Sequence, residues 1–221
     1  MDQEVKKNYN LPKKILITAG PTIEPLDPVR YITNHSSGTM GYKIAEKAVK
    51  EGYSVSIISG PVNLSPPKEA EIIPVTTASD MKKEVVKRIK EYDCIVMTAA
   101  VCDFRPVKTE KKKIKKQEKY SLELIKNIDI LMAIKDVRQI GKIGFALETE
   151  NPVENGKKKL REKGLDLIIV NTKTEKSDPF GDSTIKRDYV VINAEMDVQH
   201  LRERTKDEMA EIIKEEIGKL V

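Results

Sequence analysis

Short apolar runs alternate along the chain with stretches whose apolar positions recur every three or four residues. The runs fall at 14–18 (KILIT), 53–58 (YSVSII), 71–75 (EIIPV), 93–98 (DCIVMT), 142–147 (KIGFAL) and 165–170 (LDLIIV). Continuous runs of this length, bounded by glycine, proline or polar residues, read as strands buried on both faces, as in a parallel sheet. The helical patterns fall at 38–51, 79–91, about 127–137 and 152–163. Their alternation predicts an α/β, three-layer, Rossmann-like fold: a mostly parallel sheet with helices on both faces. In such sheets ligands lie beyond the carboxyl ends of the strands. The residues that follow Ile17, Met97 and Leu147 should therefore converge on one edge.

The C-terminal pattern differs. Residues 189–193 (YVVIN) and 198–201 (VQHL) flank Glu195-Met196-Asp197 and read as a β-hairpin. Such a hairpin can pair with a partner chain or extend the sheet of its own chain. Thr205-Lys206-Asp207-Glu208 is a capping box that opens a final helix. Residues 1–13 read as a leader or linker remnant, and 14–221 as one domain.

Composition narrows the class. No apolar run approaches the length of a membrane span, and the N-terminus lacks a signal-peptide core. The expectation is a soluble, cytoplasmic protein with no membrane role. Two cysteines make no disulfide framework; Cys94 sits within a strand and should be inert core. The net charge of +5 favours anionic partners. With 34% charged residues, a solvated surface accounts for it more simply than nucleic acid does.

The chemistry concentrates between Lys14 and Tyr42. The first strand is joined to the first helix by a long polar insert carrying Glu24, Asp27, Arg30, Asn34 and His35. Such connections normally take two to six residues. The insert ends in Ser36-Ser37-Gly38-Thr39-Met40-Gly41, a Ser/Gly loop at a helix N-terminus and so a ready anion site. After the fourth strand, small residues from Met97 to Ala100 allow close approach of a ligand, with Asp103 and Arg105 as a ribose or metal ligand and a phosphate contact, or simply as a surface pair. Lys108 to Lys119 reads as a loop that closes over a polyphosphate or as a solvated charge run. Ile114 within it is odd for the latter. Lys159 and Lys163 lie four apart and share a helix face, suited to phosphate or to salt bridges. His35 serves as a carboxylate-orienting group or a hydrogen-bonding spacer.

Absences bear on two other classes. There is no GxGxxG and no GxxxxGK[ST]. A reductase-type YxxxK occurs at Tyr9 to Lys13, but Pro12 within it rules out a helical pair. This argues against an NAD(P)-dependent reductase on a similar sheet. A lysine-rich nucleic-acid module leaves Asn34 and Asp103 without a role.

The motifs GPTIEPLDPVRYITNHSSGTMG, AAVCDFRP, KIKK, KNIDIL and GFALETE stand in the order seen in phosphopantothenate–cysteine ligases. From about Lys14 to the C-terminus the chain resembles that family. The resemblance implies a ligase of coenzyme A biosynthesis that joins 4'-phosphopantothenate to L-cysteine through an acyl-nucleotide. It implies CTP as co-substrate, with ATP the usual choice of eukaryotic members, and Mg²⁺ to neutralise the phosphates. By resemblance, Asn34 and Lys113 are catalytic. Gly20, Ser36, Ser37, Gly38, Met97, Thr98, Ala99, Asp103, Lys113, Ile128, Asp129, Ile130, Leu131, Phe145, Lys159 and Lys163 meet the nucleotide. Arg30, Asn34 and His35 meet the acid substrate, Arg30 near phosphopantothenate or across a dimer, and Asp103 is the candidate metal ligand. The family forms homodimers, which assigns the C-terminal hairpin to dimerisation. It often carries a fused flavin-dependent decarboxylase; without that domain no FMN is expected, and the decarboxylase would be a separate or fused partner. Three positions depart from the family pattern: Thr39 stands for a lysine, Cys102 for alanine and Ile128 for proline.

Overall fold

The computed structural model describes residues 12–172 and 184–221. Of the leader reading, residues 1–11 lie outside the described residues. In chain order the elements are β1 (Lys14–Ala19), β2 (Ile23–Pro25), β3 (Tyr31–Thr33), α1 (Thr39–Lys50), β4 (Ser54–Ser59), β5 (Glu71–Pro74) and α2 (Ala78–Arg88). There follow β6 (Cys94–Met97), β7 (Phe104–Pro106), β8 (Leu124–Lys126), α3 (Ile130–Ala133) and β9 (Gly141–Glu148). The chain closes with α4 (Pro152–Lys163), β10 (Leu167–Thr172), β11 (Arg187–Asn193), β12 (Val198–Arg204) and α5 (Lys206–Leu220).

The main sheet runs β12-β11-β10-β9-β6-β1-β4-β5. The six strands from β10 to β5 are parallel, and β11 and β12 are antiparallel. Strands alternate their side chains between faces. One set, including Ile15, Ile17, Ile57, Val96, Ile143 and Ile169, packs under α1 and α5 through Ile44, Ala48, Met209, Ile213 and Ile217. The other, including Leu16, Ile58, Ile95, Ile168 and Val170, packs on α2, α3 and α4 through Met81, Val85, Ile130 and Leu160. Two dry faces make the three-layer fold that the continuous runs predict. Crossovers leave β1 toward β4 and β6 toward β9, so the order reverses between β1 and β6, the switch point at which such sheets bind ligands.

The C-terminal hairpin extends the chain's own sheet, since β11 pairs with β10 from Leu167↔Asn193 to Asn171↔Tyr189. Both ladder edges of β11 are thus satisfied within the chain, by β10 and β12. The capping box holds: Thr205 Oγ1 accepts from the Glu208 amide at 3.2 Å, and the Glu208 carboxylate accepts from the Thr205 amide at 2.8 Å. The helix expected at 127–137 shrinks to one turn, Ile130–Ala133. Its apolar spacing is real, with Ile130, Leu131 and Ile134 buried, but bonds from Ile134 to Leu131 and Val137 to Ile134 wind the rest into turns. The helix expected at 79–91 ends at Arg88, and Ile89–Glu91 forms a 3₁₀ turn.

Two small hairpins, β2–β3 and β7–β8, carry no legible period because each strand is three residues long. The Lys108–Lys119 run is the loop of the second. No helix among the described residues is long and apolar enough to cross a membrane.

Candidate functional site

Glycine shapes the mouth of the site. Gly38 has φ +76°, and a Cβ there would lie 2.8 Å from Val62 Cγ1 and 3.3 Å from the Gly20 nitrogen. A Cβ on Gly41 would lie 2.6 Å from Thr98 Oγ1 and 2.7 Å from Ala19 Cβ. The first turn of α1 therefore lies directly against the ends of β1 and β6, at the switch point. Its N-terminus has no side-chain cap and no acidic residue in the first turn. Ser36 Oγ accepts from the Gly38 amide at 3.2 Å, and Ser37 Oγ contacts Thr39 Oγ1 at 2.8 Å. An uncapped dipole end of this kind favours an anion.

A cleft of about 700 Å³ opens there. It gathers Asn34, His35, Ser36, Ser37 and Gly38 from the insert, Met97, Thr98, Ala99 and Asp103 beyond β6, and Ile128, Asp129, Ile130 and Leu131 around α3. Phe145 from β9 and Lys159 and Lys163 from α4 complete this set. Asn34 is oriented: its Nδ2 donates to the Val101 carbonyl at 3.0 Å. Lys159 pairs with Glu148 at 2.6 Å and Lys163 with Asp129 at 3.3 Å, so both lysines line the cleft and also form salt bridges. A phosphate or base edge would share or replace those carboxylates.

Asp103 is exposed, and its carbonyl accepts from the Asn127 amide at 2.7 Å. Arg105 donates to the Lys126 carbonyl at 3.1 Å and so ties β7 to β8. Among the described residues no group of three or more His, Cys, Asp or Glu forms a metal cage. A single carboxylate fits Mg²⁺ carried mainly by substrate phosphates and water.

Gly20, Arg30 and Lys113 do not line the cleft. Gly20 is the floor beneath Gly38. Arg30 belongs to a knot around Asp27. The buried Asp27 carboxylate accepts from the amides of Val29 (2.7 Å), Arg30 (2.8 Å) and Ile114 (3.0 Å) and from Arg30 Nη1 (3.0 Å). Arg30 Nη1 also donates to the Ile114 carbonyl at 3.2 Å. The lysine-rich loop is therefore tethered by the backbone of Ile114, whose side chain is half-buried, while Lys113 itself is exposed. The Ile114 amide above all, then those of Val29 and Arg30 and the Arg30 guanidinium, hold the Asp27 carboxyl below its usual range, against the opposing effect of burial.

A depressed carboxylate stabilises the fold above its unfolded pKa and loses that contribution as pH falls through the lower folded value. Protection of the Ile114 amide from hydrogen exchange should hold from neutrality through about pH 4, the ordinary carboxyl range, and be lost only at lower pH, as the depressed Asp27 carboxylate takes up its proton. Asp27→Asn should lose that protection at neutral pH and speed tryptic cleavage in the loop several-fold. Unchanged cleavage would mean that the knot does not restrain the loop.

Three lining residues lie outside the sequence motifs of the site, Asn171, Tyr189 and Lys206, while Asn127 stands inside KNIDIL with no role read for it there. Asn171 was findable, standing at the carboxyl end of β10 as Met97 stands at the end of β6. Tyr189 and Lys206 reach the cleft only because β11 folds back on β10. Cys102 is buried with its thiol 3.4 Å from the Thr22 carbonyl, and burial pushes it up, away from reactivity. Burial does the same to Cys94. At Ile128 the backbone N–H donates to Asn127 Oδ1 at 3.0 Å, a bond that a proline could not make.

A family model described as the DNA/pantothenate metabolism flavoprotein C-terminal domain matches residues 11–220. The coenzyme A biosynthesis bifunctional protein CoaBC of Bacillus subtilis is 46% identical over 176 residues, 78% of this chain and 43% of that protein. A cysteine/cysteine sulfinic acid decarboxylase from an unknown prokaryotic organism is 36% identical over 216 residues, 95% of this chain and 59% of that protein. The chain thus spans about half the length of the curated relatives it matches. The solved C-terminal domain of a CoaBC protein superposes with TM-score 0.78 at 38% identity, covering 93% of each chain.

Proposed function

We infer the function from the family: this chain belongs to the DNA/pantothenate metabolism flavoprotein C-terminal domains. It acts as a ligase of coenzyme A biosynthesis, joining 4'-phosphopantothenate to L-cysteine. The observation that supports this best is one cleft holding the uncapped N-terminus of α1, the oriented Asn34 amide and Lys159 and Lys163.

The chemistry has two steps. A phosphopantothenate carboxylate oxygen attacks the α-phosphate of CTP; an O–P bond forms and pyrophosphate leaves. The cysteine amine then attacks the acyl carbon; a C–N bond forms, the C–O bond to the nucleotide breaks, CMP leaves and the amine's proton passes to water. Positioning carries the reaction, since neither step needs a covalent enzyme intermediate. Ser36, Ser37, Gly38 and the first amides of α1 hold the phosphates. Met97, Thr98, Ala99, Phe145 and the Ile128–Leu131 segment flank the nucleoside, and Lys159 and Lys163 meet its edge or charge. Asn34, with His35 beside it, steadies the acyl oxygens. Mg²⁺ when bound neutralises polyphosphate charge, and Asp103 would hold it. A phosphopantothenoylcysteine decarboxylase, separate or fused, would take the product in the cytoplasm and bring its own FMN.

A second copy completes the site. Val29, Tyr31, Phe104, Val107, Tyr120, Leu122, Leu124 and Ile125 are exposed apolar residues on the two small hairpins. Arg30 and Lys113 sit on the same hairpins, outside their own cleft. Homodimerisation through this face would cover it and let both cations serve the partner's cleft. The C-terminal hairpin, whose outer strand β12 ends the main sheet, is the other face open to a second copy. Ile125→Glu should give a monomer on sedimentation, with activity cut by about tenfold or more, as for a charge buried in an apolar interface. A variant that remains dimeric would place the contact elsewhere.

The ligase reading is tested by pyrophosphate release from phosphopantothenate and cysteine with CTP and ATP in parallel. Release with CTP alone supports both the reaction and the base, and release with neither sinks the ligase.

A further inference from the structure

Between β8, which ends at Lys126, and α3, which starts at Ile130, run Asn127, Ile128 and Asp129. Outside ladders and helices, backbone groups must be paired one by one. The Asn127 amide donates to the Asp103 carbonyl at 2.7 Å. Asp129 caps α3, its Oδ1 accepting from the Met132 amide at 3.2 Å, and pairs with Lys163 at 3.3 Å. Between these anchors the Ile128 amide donates to Asn127 Oδ1 at 3.0 Å. A bond to the side chain just before it holds a backbone only as firmly as that side chain is itself held. Asn127 is held from the insert: its Nδ2 donates to Glu24 Oε1 at 3.0 Å.

Glu24 is buried and does not line the cleft, whereas Asn127 does. The same Oε1 accepts from the Ala78 amide at 2.9 Å, at the start of α2, where the helix dipole favours a carboxylate. A carboxylate only accepts, so Asn127 must turn its NH2 toward Glu24 and its Oδ1 toward the Ile128 amide. The amide turned over would set acceptor against acceptor and donor against donor. We propose that Glu24 is a positioning residue for the nucleotide: through Asn127 it fixes the Ile128 amide and, with it, the Ile128–Leu131 wall of the cleft. The assignment rests on the ligase reading, which sets the nucleoside against that wall, and it gives a buried strut of the insert a part in nucleotide affinity.

The test reads pyrophosphate release with varied CTP at saturating cysteine, then with varied cysteine at saturating CTP, phosphopantothenate being saturating throughout. Asn127→Ala should raise the KM for CTP about tenfold while that for cysteine stays within about twofold of the wild type. Glu24→Ala, assayed well below its melting temperature, should do the same. Glu24→Gln, which keeps an acceptor for both N–H groups, should return most of the way to the wild-type value. Ile128→Pro removes the N–H that Asn127 Oδ1 accepts. Added to Ile128→Pro, Asn127→Ala should therefore raise the KM for CTP no more than about twofold further. An equal rise in both backgrounds, a CTP KM unmoved by Glu24→Ala, or a parallel rise in the cysteine KM overturns the relay and leaves the ligase standing. A wild-type protein that releases no pyrophosphate with CTP or ATP removes the ligase reading and the relay together.

Discussion

Asn34→Ala should bind CTP as tightly as the wild-type chain and accumulate the acyl-nucleotide, with turnover lowered about 10²–10³-fold. The side chain is held by one bond, from Nδ2 to the Val101 carbonyl, which leaves a second N–H and Oδ1 for the cleft. A preorganised amide donor matters most where negative charge grows on the acyl oxygen as the amine attacks. The phosphates are held elsewhere, by the Ser36–Gly38 loop and the α1 terminus, so nucleotide affinity should not follow turnover. Calorimetric titration with CTP and rapid-quench detection of the acyl-nucleotide check the two halves. Normal turnover would sink the role given to Asn34, whereas weakened CTP binding would move it to the phosphate site.

Glu24→Ala should be the most damaging substitution in the insert, costing about 3 kcal/mol and lowering the melting temperature by roughly 6–12 °C. Glu24 is 4% exposed, and its Oε1 accepts from the Ala78 amide at 2.9 Å and from Asn127 Nδ2 at 3.0 Å. One carboxyl thus joins β2 to the start of α2 and to the residue before Ile128 in the cleft. Truncation orphans two buried donors at once, and unmade bonds cost more than made bonds contribute. Glu24→Gln keeps one acceptor oxygen and should lose less. Scanning calorimetry of both variants checks the order, and a Glu24→Ala protein that melts with the wild type would show that water replaces the carboxyl.

Glu24 and Asp27 illustrate what the sequence conveys incompletely. Both read as functional groups of a long insert. Both turn inward as struts, because each carboxyl meets donors far along the chain, at Ala78 and Asn127 for one and Ile114 for the other. The insert's length drew attention to this stretch, but the division of its side chains between struts and cleft walls depends on those distant partners.

The sequence by itself determined the layered fold, because continuous apolar runs suit only strands buried on two faces, and the caps at Thr205 and the Gly38 loop act over three or four residues. It also determined the switch-point cleft, since small residues after β1 and β6 must lie together once those strands pair. The tertiary structure alone decided the rest. The one-turn α3, the two short hairpins and the sheet-extending C-terminal hairpin depend on partners tens of residues away, where no local period can register. So does the α5 wall of the cleft: Asn171, Tyr189 and Lys206 are brought together by antiparallel pairing of β10 with β11, and burial, which sequence spacing does not encode, turns an ordinary asparagine and lysine into an unpaired acceptor and a sequestered cation.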